Sequence, residues 1–175
     1  MTAKEKPNET SKIIQLFLDC CKARDHRPIQ DEELDFCYRI MLRGDNGHLI
    51  CTLTFDAEEE QVLINALSIM KFPKSTLSEL YKLTNEINNK HVSSKLLLNT
   101  EDNYVALEAI KRYAEIGDLY NLWKNIEIIV GILDCYIPAF HLVIYGTMDA
   151  DKALETVKRL AIEDIMEEAM EELPN

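Results

Sequence analysis

The side chains that could do chemistry in this chain are four histidines, five cysteines and two short acidic runs. A zinc or catalytic site needs such side chains at a spacing that brings them together, for example two histidines four residues apart on a helix. No pair has that spacing, and each histidine lies in a different predicted element: His26, His48, His91 and His141. The acidic runs at residues 31–33 and 58–60 fall in predicted loops, where we interpret them as solvated turns, with a divalent-cation site as the alternative. We predict no catalytic residue, no metal site and no cofactor.

The cysteines predict a reduced protein rather than a disulfide framework. Their number is odd, two are adjacent, and no pair has the Cys-x-x-Cys spacing: Cys20, Cys21, Cys37, Cys51 and Cys135. We interpret them as buried, small apolar residues in a cytoplasmic protein, with a redox or metal role as the alternative. The chain also lacks the Gly-x-Ser-x-Gly turn of a nucleophilic serine, and its five glycines form no phosphate-binding loop. An enzyme is therefore not predicted.

The charge of the chain argues against one large class of partner. The 175 residues carry a net charge of −12 at pH 7, whereas a nucleic-acid-binding protein needs a basic face. The first ten residues are polar and lack the apolar run of a signal peptide. A buried helix is favoured over a membrane span for residues 126–145, because four residues interrupt the apolar run: Glu127, Asp134, Pro138 and His141. We expect a cytoplasmic protein that binds neither nucleic acid nor membrane.

Hydrophobic periodicity places these residues on an α+β framework. Five segments alternate between apolar and polar positions, as half-buried strands do: residues 35–43, 48–55, 61–70, 95–100 and 104–113. The segments Gly44-Asp45-Asn46-Gly47 and Glu101-Asp102-Asn103 are turn sequences between neighbouring strands. We therefore predict a five-stranded, mainly antiparallel sheet with helices packed on one of its faces.

Helices are predicted before, between and after these strands. The first begins near Thr10, and the second opens with a capping box in which Thr76 and Glu79 each bind an unpaired backbone amide. The longest begins at Gly117-Asp118, and its apolar stripe is wide enough for burial on more than one side. Pro138 should kink or split this helix, because proline removes a backbone hydrogen bond.

The last predicted helix is acidic and begins at Asp149 or Asp151. Its apolar residues recur at helical spacing, among them Ile165, Met166 and Met170. Its other face places like charges four residues apart, which costs roughly 0.2–0.5 kcal/mol per pair. Docking of the apolar stripe would offset this cost, and the docking surface is either the chain's own domain or a partner.

Several short motifs, together with the order of the elements, are shared with a known family. The motifs are Phe72-Pro73, Leu83–Asn88, Lys95–Asn99, residues 101–103 and Tyr145–Leu154. They resemble the YbjN-like family, whose fold is that of type III secretion chaperones, and the resemblance covers residues 12–154. The family is described as a sensory transduction regulator or chaperone-like module, so the resemblance implies a fold and a binding role. This chain departs from the family in its longer acidic helix and at Asn103, where a glycine is usual.

We divide the chain into a disordered segment at residues 1–10, a YbjN-like α+β domain at 11–148 and an acidic amphipathic helix at 149–175. The leading hypothesis is a non-enzymatic, chaperone-like or regulatory module that captures a segment of a partner protein or peptide on exposed apolar surface. A homodimer is compatible with this, since a one-sided sheet leaves a face or an edge to cover. The alternative is a small-molecule sensor with a pocket between the sheet and the long helix.

Seven residues are predicted to contact the partner. Tyr81 and Trp123 would supply rings to an apolar groove, and Asn85 and Asn88 would supply polar contacts to a bound peptide. The alternative for Asn88 is a hydrogen bond to the backbone of the following loop. The remaining three lie on the apolar stripe of the last helix: Ile165, Met166 and Met170.

Overall fold

The computed structural model describes residues 9–146 and 148–171, without the side chains of Leu119 and residues 161–171. Most of the predicted disordered segment, residues 1–8, lies outside the described residues, and Glu9 and Thr10 are the first two residues of a helix. The helices are α1 Glu9–Ala23, α2 Leu77–Asn88, α3 Tyr113–Ile116, α4 Leu119–Ile144 and α5 Ala150–Glu171. The strands are β1 Ile29–Gln30, β2 Cys37–Arg43, β3 His48–Asp56, β4 Gln61–Ile69, β5 Lys95–Asn99 and β6 Tyr104–Arg112.

The strands form one antiparallel sheet in the order β1-β2-β3-β4-β6-β5. The predicted α+β class and antiparallel sheet are confirmed, but the sheet has six strands rather than five. The extra strand is β1, whose two residues are too few to show any periodicity. The hairpin of β5 and β6 attaches through β6, which lies between β4 and β5.

One face of the sheet forms the protein core with the helices. Leu53, Ile64 and Leu107 on adjacent strands are fully buried, as are Leu122, Ile126 and Leu133 of α4. Phe17 of α1 is also fully buried, and its ring contacts Tyr38 and Phe55 on the same sheet face. The apolar residues that alternate along each strand therefore lie on this face and pack against α1 and α4.

Helix α4 is continuous through Pro138, so the predicted split does not occur. Its first turn is capped by Asp118, whose side chain accepts a hydrogen bond from the Asn121 backbone. In the described part of the chain, its stretch Tyr120–Ile144 is the one long and apolar enough to cross a bilayer by length and composition, and 50% of the most apolar window is buried. The burial accounts for the apolar character, because α4 packs on the sheet as a core helix.

A buried carboxylate joins α4 to the turn between β2 and β3. Asp134 accepts hydrogen bonds from the backbone N–H groups of Asp45 and Asn46, at 2.9 and 3.1 Å. Its own carbonyl accepts from the Asn46 side chain. A side chain at Gly44 would collide with this carboxylate, since an added Cβ would lie 2.2 Å from Asp134 Oδ1. The turn residues therefore both close the hairpin and contact α4.

Helix α5 begins on the helical layer and is fixed there by α2. Asp149, one of the two residues predicted to start this helix, caps its first turn by accepting from the Lys152 N–H. The capping box predicted for α2 is wrong: the Thr76 side chain caps no amide of that helix, and Glu79 accepts from the Ala150 N–H at 2.9 Å. A 3-10 turn at Lys74–Thr76 precedes α2, and the Thr76 hydroxyl donates to the carbonyl of Pro73, the residue before that turn.

Candidate binding surface

The second face of the sheet, which we call the open face, is formed by the strand residues whose side chains lie opposite the core side. On β2 these are Cys37, Arg39, Met41 and Arg43, and every second residue of the other strands lies on the same side. One row across it is apolar on all five long strands: Met41, Ile50, Leu67, Ala106 and Leu97. Residues directly opposite one another on neighbouring antiparallel strands have contacting side chains. These five residues, which we call the apolar row, therefore form a continuous strip across the sheet.

No helix in the described part of the chain covers the open face. Met41 is 65% exposed, and Ile69 of β4 and Ile110 of β6, elsewhere on the same face, are 71% and 58% exposed. Ala106 is buried because bulkier side chains stand on either side of it. A shallow depression of about 350 Å³ continues the surface at one end, between Lys95, Glu108 and Val92. Apolar side chains gathered in this way mark an interaction surface more often than singly exposed ones do.

The charges on the open face differ in sign from those of the chain as a whole. Its strand residues include four basic side chains, Arg39, Arg43, Lys95 and Arg112, and two acidic ones, Asp56 and Glu108. Arg39 pairs with Asp31, and the pKa of Asp31 is lowered by a hydrogen bond from the Glu33 N–H and then by others, including one from Arg39. Among the described residues, Arg43, Lys95 and Arg112 form no ion pair. The face therefore keeps a small excess of positive charge in a chain of net charge −12.

The predicted contact residues on α2 separate onto different sides of that helix. Tyr81 is 49% exposed, and Asn85, one turn further on, is also exposed. Asn88 instead binds the edge strand β5: its amide nitrogen donates to the Leu96 carbonyl at 2.9 Å, and its Oδ1 accepts from the Leu96 N–H. This is the backbone bracing that we gave as the alternative for Asn88. Its side-chain amide is therefore engaged within the protein.

Trp123 does not line a common groove with the α2 residues. It is 5% exposed, its indole N–H donates to Glu127, and its ring is covered by Arg24 and His26 from the end of α1. The loop that follows α2 reaches α4 at Tyr136, whose hydroxyl lies 3.0 Å from His91 Nε2. Residues 123 and 136 are separated by about 20 Å along a helix that rises 1.5 Å per residue. The side chains of Ile165, Met166 and Met170 lie outside the described residues.

The open face was not predicted as a site. Strand alternation separates Met41 and Leu67 from the residues on the other side of their own strands, but it does not show that they belong to one row. The available signal was the number of large apolar residues on the outward half of each strand, which a fully solvated sheet face does not need.

Among the described residues, no group of three or more histidine, cysteine or carboxylate side chains gathers in a metal-binding arrangement. Cys20, Cys21 and Cys51 are buried in the core, Cys37 is buried on the other side of the sheet, and Cys135 is exposed on α4. Burial raises the pKa of the Cys21 and Cys51 thiols to about 12, and the reactive form of a cysteine is the thiolate.

We expect one fast-reacting thiol per chain in the native protein. Iodoacetamide at pH 8 should label Cys135 first, because Cys21 and Cys51 combine low access with a negligible thiolate fraction. Burial also raises the pKa of Cys135, so its labelling rate should increase with pH. Mass spectrometry of the labelled peptides gives the measurement, and guanidinium-unfolded protein, in which all five thiols should react, is the control. Equally fast native labelling of two or more cysteines would contradict the described burial.

The fold and the open face define a small α+β protein with one sheet face covered by helices and one that no helix covers among the described residues. The model of the YbjN family, described as "Putative bacterial sensory transduction regulator", matches residues 21–112, which is more than half of the chain. The chain belongs to the YbjN family, and the predicted resemblance is confirmed. The description names a regulator rather than a catalyst, which agrees with the prediction that the chain is not an enzyme.

Three solved structures are similar to this chain. The ExsC–ExsE complex has 19% identity and a TM-score of 0.43, over 70% of this chain and 94% of the other. YbjN from E. coli has 11% identity and a TM-score of 0.45, over 70% and 90%. The HopA1–SchA chaperone–effector complex has 15% identity and a TM-score of 0.42, over 70% and 91%. No curated protein sequence matches the chain.

Proposed function

We propose that this chain is a non-enzymatic, cytoplasmic, chaperone-like or regulatory module that captures a segment of a partner protein on its open face. The observation that carries the proposal is the apolar row, which crosses five strands without a covering helix in the described part of the chain. Burying apolar surface contributes about 25 cal/mol per Å², so a segment laid on this row would gain binding energy from each side chain it covers. Membership of a family of regulators supports a binding role.

Tyr81 and Asn85 are candidates for a second contact with the partner, because both are exposed on α2. No observation favours the small-molecule sensor. The side chains that face one another between the sheet and α4, among them Leu53, Ile64 and Ile126, are fully buried in one apolar cluster.

The test compares two matched pairs of substitutions in the full chain. Met41→Asp with Ile69→Asp adds two carboxylates to the open face, at side chains that are 65% and 71% exposed. Tyr120→Asp with Ile128→Asp adds two carboxylates to α4, at side chains that are 66% and 47% exposed. Both variants should keep the wild-type circular dichroism spectrum, because exposed positions contribute little to the core.

The wild-type chain and both variants are immobilised and incubated with a lysate of the source organism, and the retained proteins are quantified by mass spectrometry. We expect at least one protein to be retained by the wild type and by the α4 variant, and to be depleted at least tenfold on the open-face variant. A buried carboxylate without a partner costs several kcal/mol, which is ample for a tenfold loss. Equal retention on all three proteins would overturn the proposal.

A further inference from the structure

We infer that the open face binds the acidic C-terminal segment, residues 161–175, of a second copy of the chain. This inference rests on the proposed function of the open face and names an occupant for it. The segment contains six carboxylates and no lysine or arginine: Glu163, Asp164, Glu167, Glu168, Glu171 and Glu172. Its apolar residues recur at helical spacing: Ile162, Ile165, Met166, Ala169, Met170 and Leu173.

The dimensions of the two apolar strips agree. Strands in a sheet lie about 4.8 Å apart, so the apolar row spans about 19 Å from Met41 to Leu97. Helical residues rise 1.5 Å each, so in the helix predicted from the sequence the apolar residues from Ile162 to Leu173 would span about 17 Å. A helix laid along the row would therefore match it from end to end.

The charges beside the two strips are complementary. The row adjacent to the apolar row carries Arg39, which pairs with Asp31, at one end, and Lys95 opposite Glu108 at the other. Arg43 and His48 flank the apolar row on its opposite side. In the segment, carboxylates stand on both sides of the apolar residues. Two open faces stacked on each other would instead bring like charges together, since each keeps an excess of basic side chains. Charge complementarity thus favours the acidic segment over a face-to-face dimer.

The occupant has to come from a second copy because of where α5 is held. Ala150 and Ala153 are fully buried on the helical layer, and Lys82 pairs with Asp151 at 2.6 Å. Helix α5 is continuous from Ala150 to Glu171 and measures about 33 Å. An unbroken helix fixed on one side of the sheet cannot turn back to the opposite face of the same sheet. A reciprocal exchange between two copies satisfies both faces in a closed, two-fold dimer.

The test is a mixing experiment with full-length variants, monitored by sedimentation velocity. The face variant, Met41→Asp with Lys95→Glu, keeps an intact C-terminal segment, and the tail variant, Ile165→Asp with Met166→Asp, keeps an intact open face. We expect each variant alone to self-associate at least tenfold more weakly than the wild type. An equimolar mixture should regain association, because each mixed pair retains one intact face and one intact segment. The wild-type dimer should also weaken as salt is raised, since exposed charges are screened.

A wild-type chain that stays monomeric at 100 µM would overturn the inference, and so would a mixture no stronger than its components. These outcomes leave the proposed function standing if the open-face variant still loses its lysate partner. If the segment does occupy the face, the tail variant should retain at least twice as much of that partner as the wild type, because the competing segment is gone. The α4 variant Tyr120→Asp with Ile128→Asp should associate as the wild type does.

Discussion

Replacing Asp134 with alanine is expected to lower the free energy of unfolding by about 3 kcal/mol, because hydrogen bonds to a charged group are worth about 1.5–3 kcal/mol each. The carboxylate is 5% exposed and binds the backbone of Asp45 and Asn46 in the β2–β3 turn. Without it, the turn loses its attachment to α4. Urea denaturation at one fixed protein concentration gives the measurement, with the slope checked for two-state behaviour.

Two further variants separate this contact from a general effect of losing a carboxylate. Asp118→Ala removes the exposed cap of α4 and should cost about 1 kcal/mol. Gly44→Ala should destabilise by itself, because its Cβ would collide with Asp134 Oδ1. Combined with Asp134→Ala, it should cost less than the two separate effects together, because the alanine leaves room for the Cβ. Strict additivity in this cycle would mean that the two residues do not contact each other.

Replacing Asn88 with alanine is expected to cost about 2 kcal/mol, since two hydrogen bonds of about 1 kcal/mol each are lost. Its side chain binds both the N–H and the carbonyl of Leu96, so it occupies part of the outer edge of β5 as a neighbouring strand would. The Leu96 amide should then exchange its hydrogen much faster, which NMR measures directly. The unpaired edge should also make the variant more prone to aggregation.

Asn85→Ala is the matched control, one turn earlier on the exposed side of α2. It should change the free energy of unfolding by less than about 0.5 kcal/mol, as surface substitutions usually do. A larger loss of stability for Asn85→Ala than for Asn88→Ala would show that α2 packs its other side against β5.

Asparagine also explains how this chain keeps the turn of the second hairpin without glycine. Asn103 has a φ of 59°, in the left-handed region where glycine is favoured and asparagine is tolerated. Its side chain accepts from the Phe72 N–H, which ties the turn to the segment before α2. Asn103 therefore adopts a backbone conformation that glycine also favours.

The local helices, strands and turns could be predicted from the sequence. Alternation along each strand, the turns at residues 44–47 and 101–103, and the caps at Asp118 and Asp149 depend on residues close together in the chain. These short-range preferences can be predicted because each is satisfied within a few residues. The two-residue strand β1 and the role of Glu79 could not be predicted, since both depend on a partner elsewhere in the chain.

Which elements contact one another could not be predicted and is seen in the folded chain. Leu67 joins Ala106 and Leu97 in the apolar row because β6 pairs with β4, and no periodicity specifies that pairing. Asp134 contacts a turn 88 residues away, and Trp123 is buried under the end of α1 rather than placed beside Tyr81. This is because the pattern of apolar residues along a helix or strand shows only which side of that element is apolar. The identity of the surface that covers that side is set by packing across the whole chain.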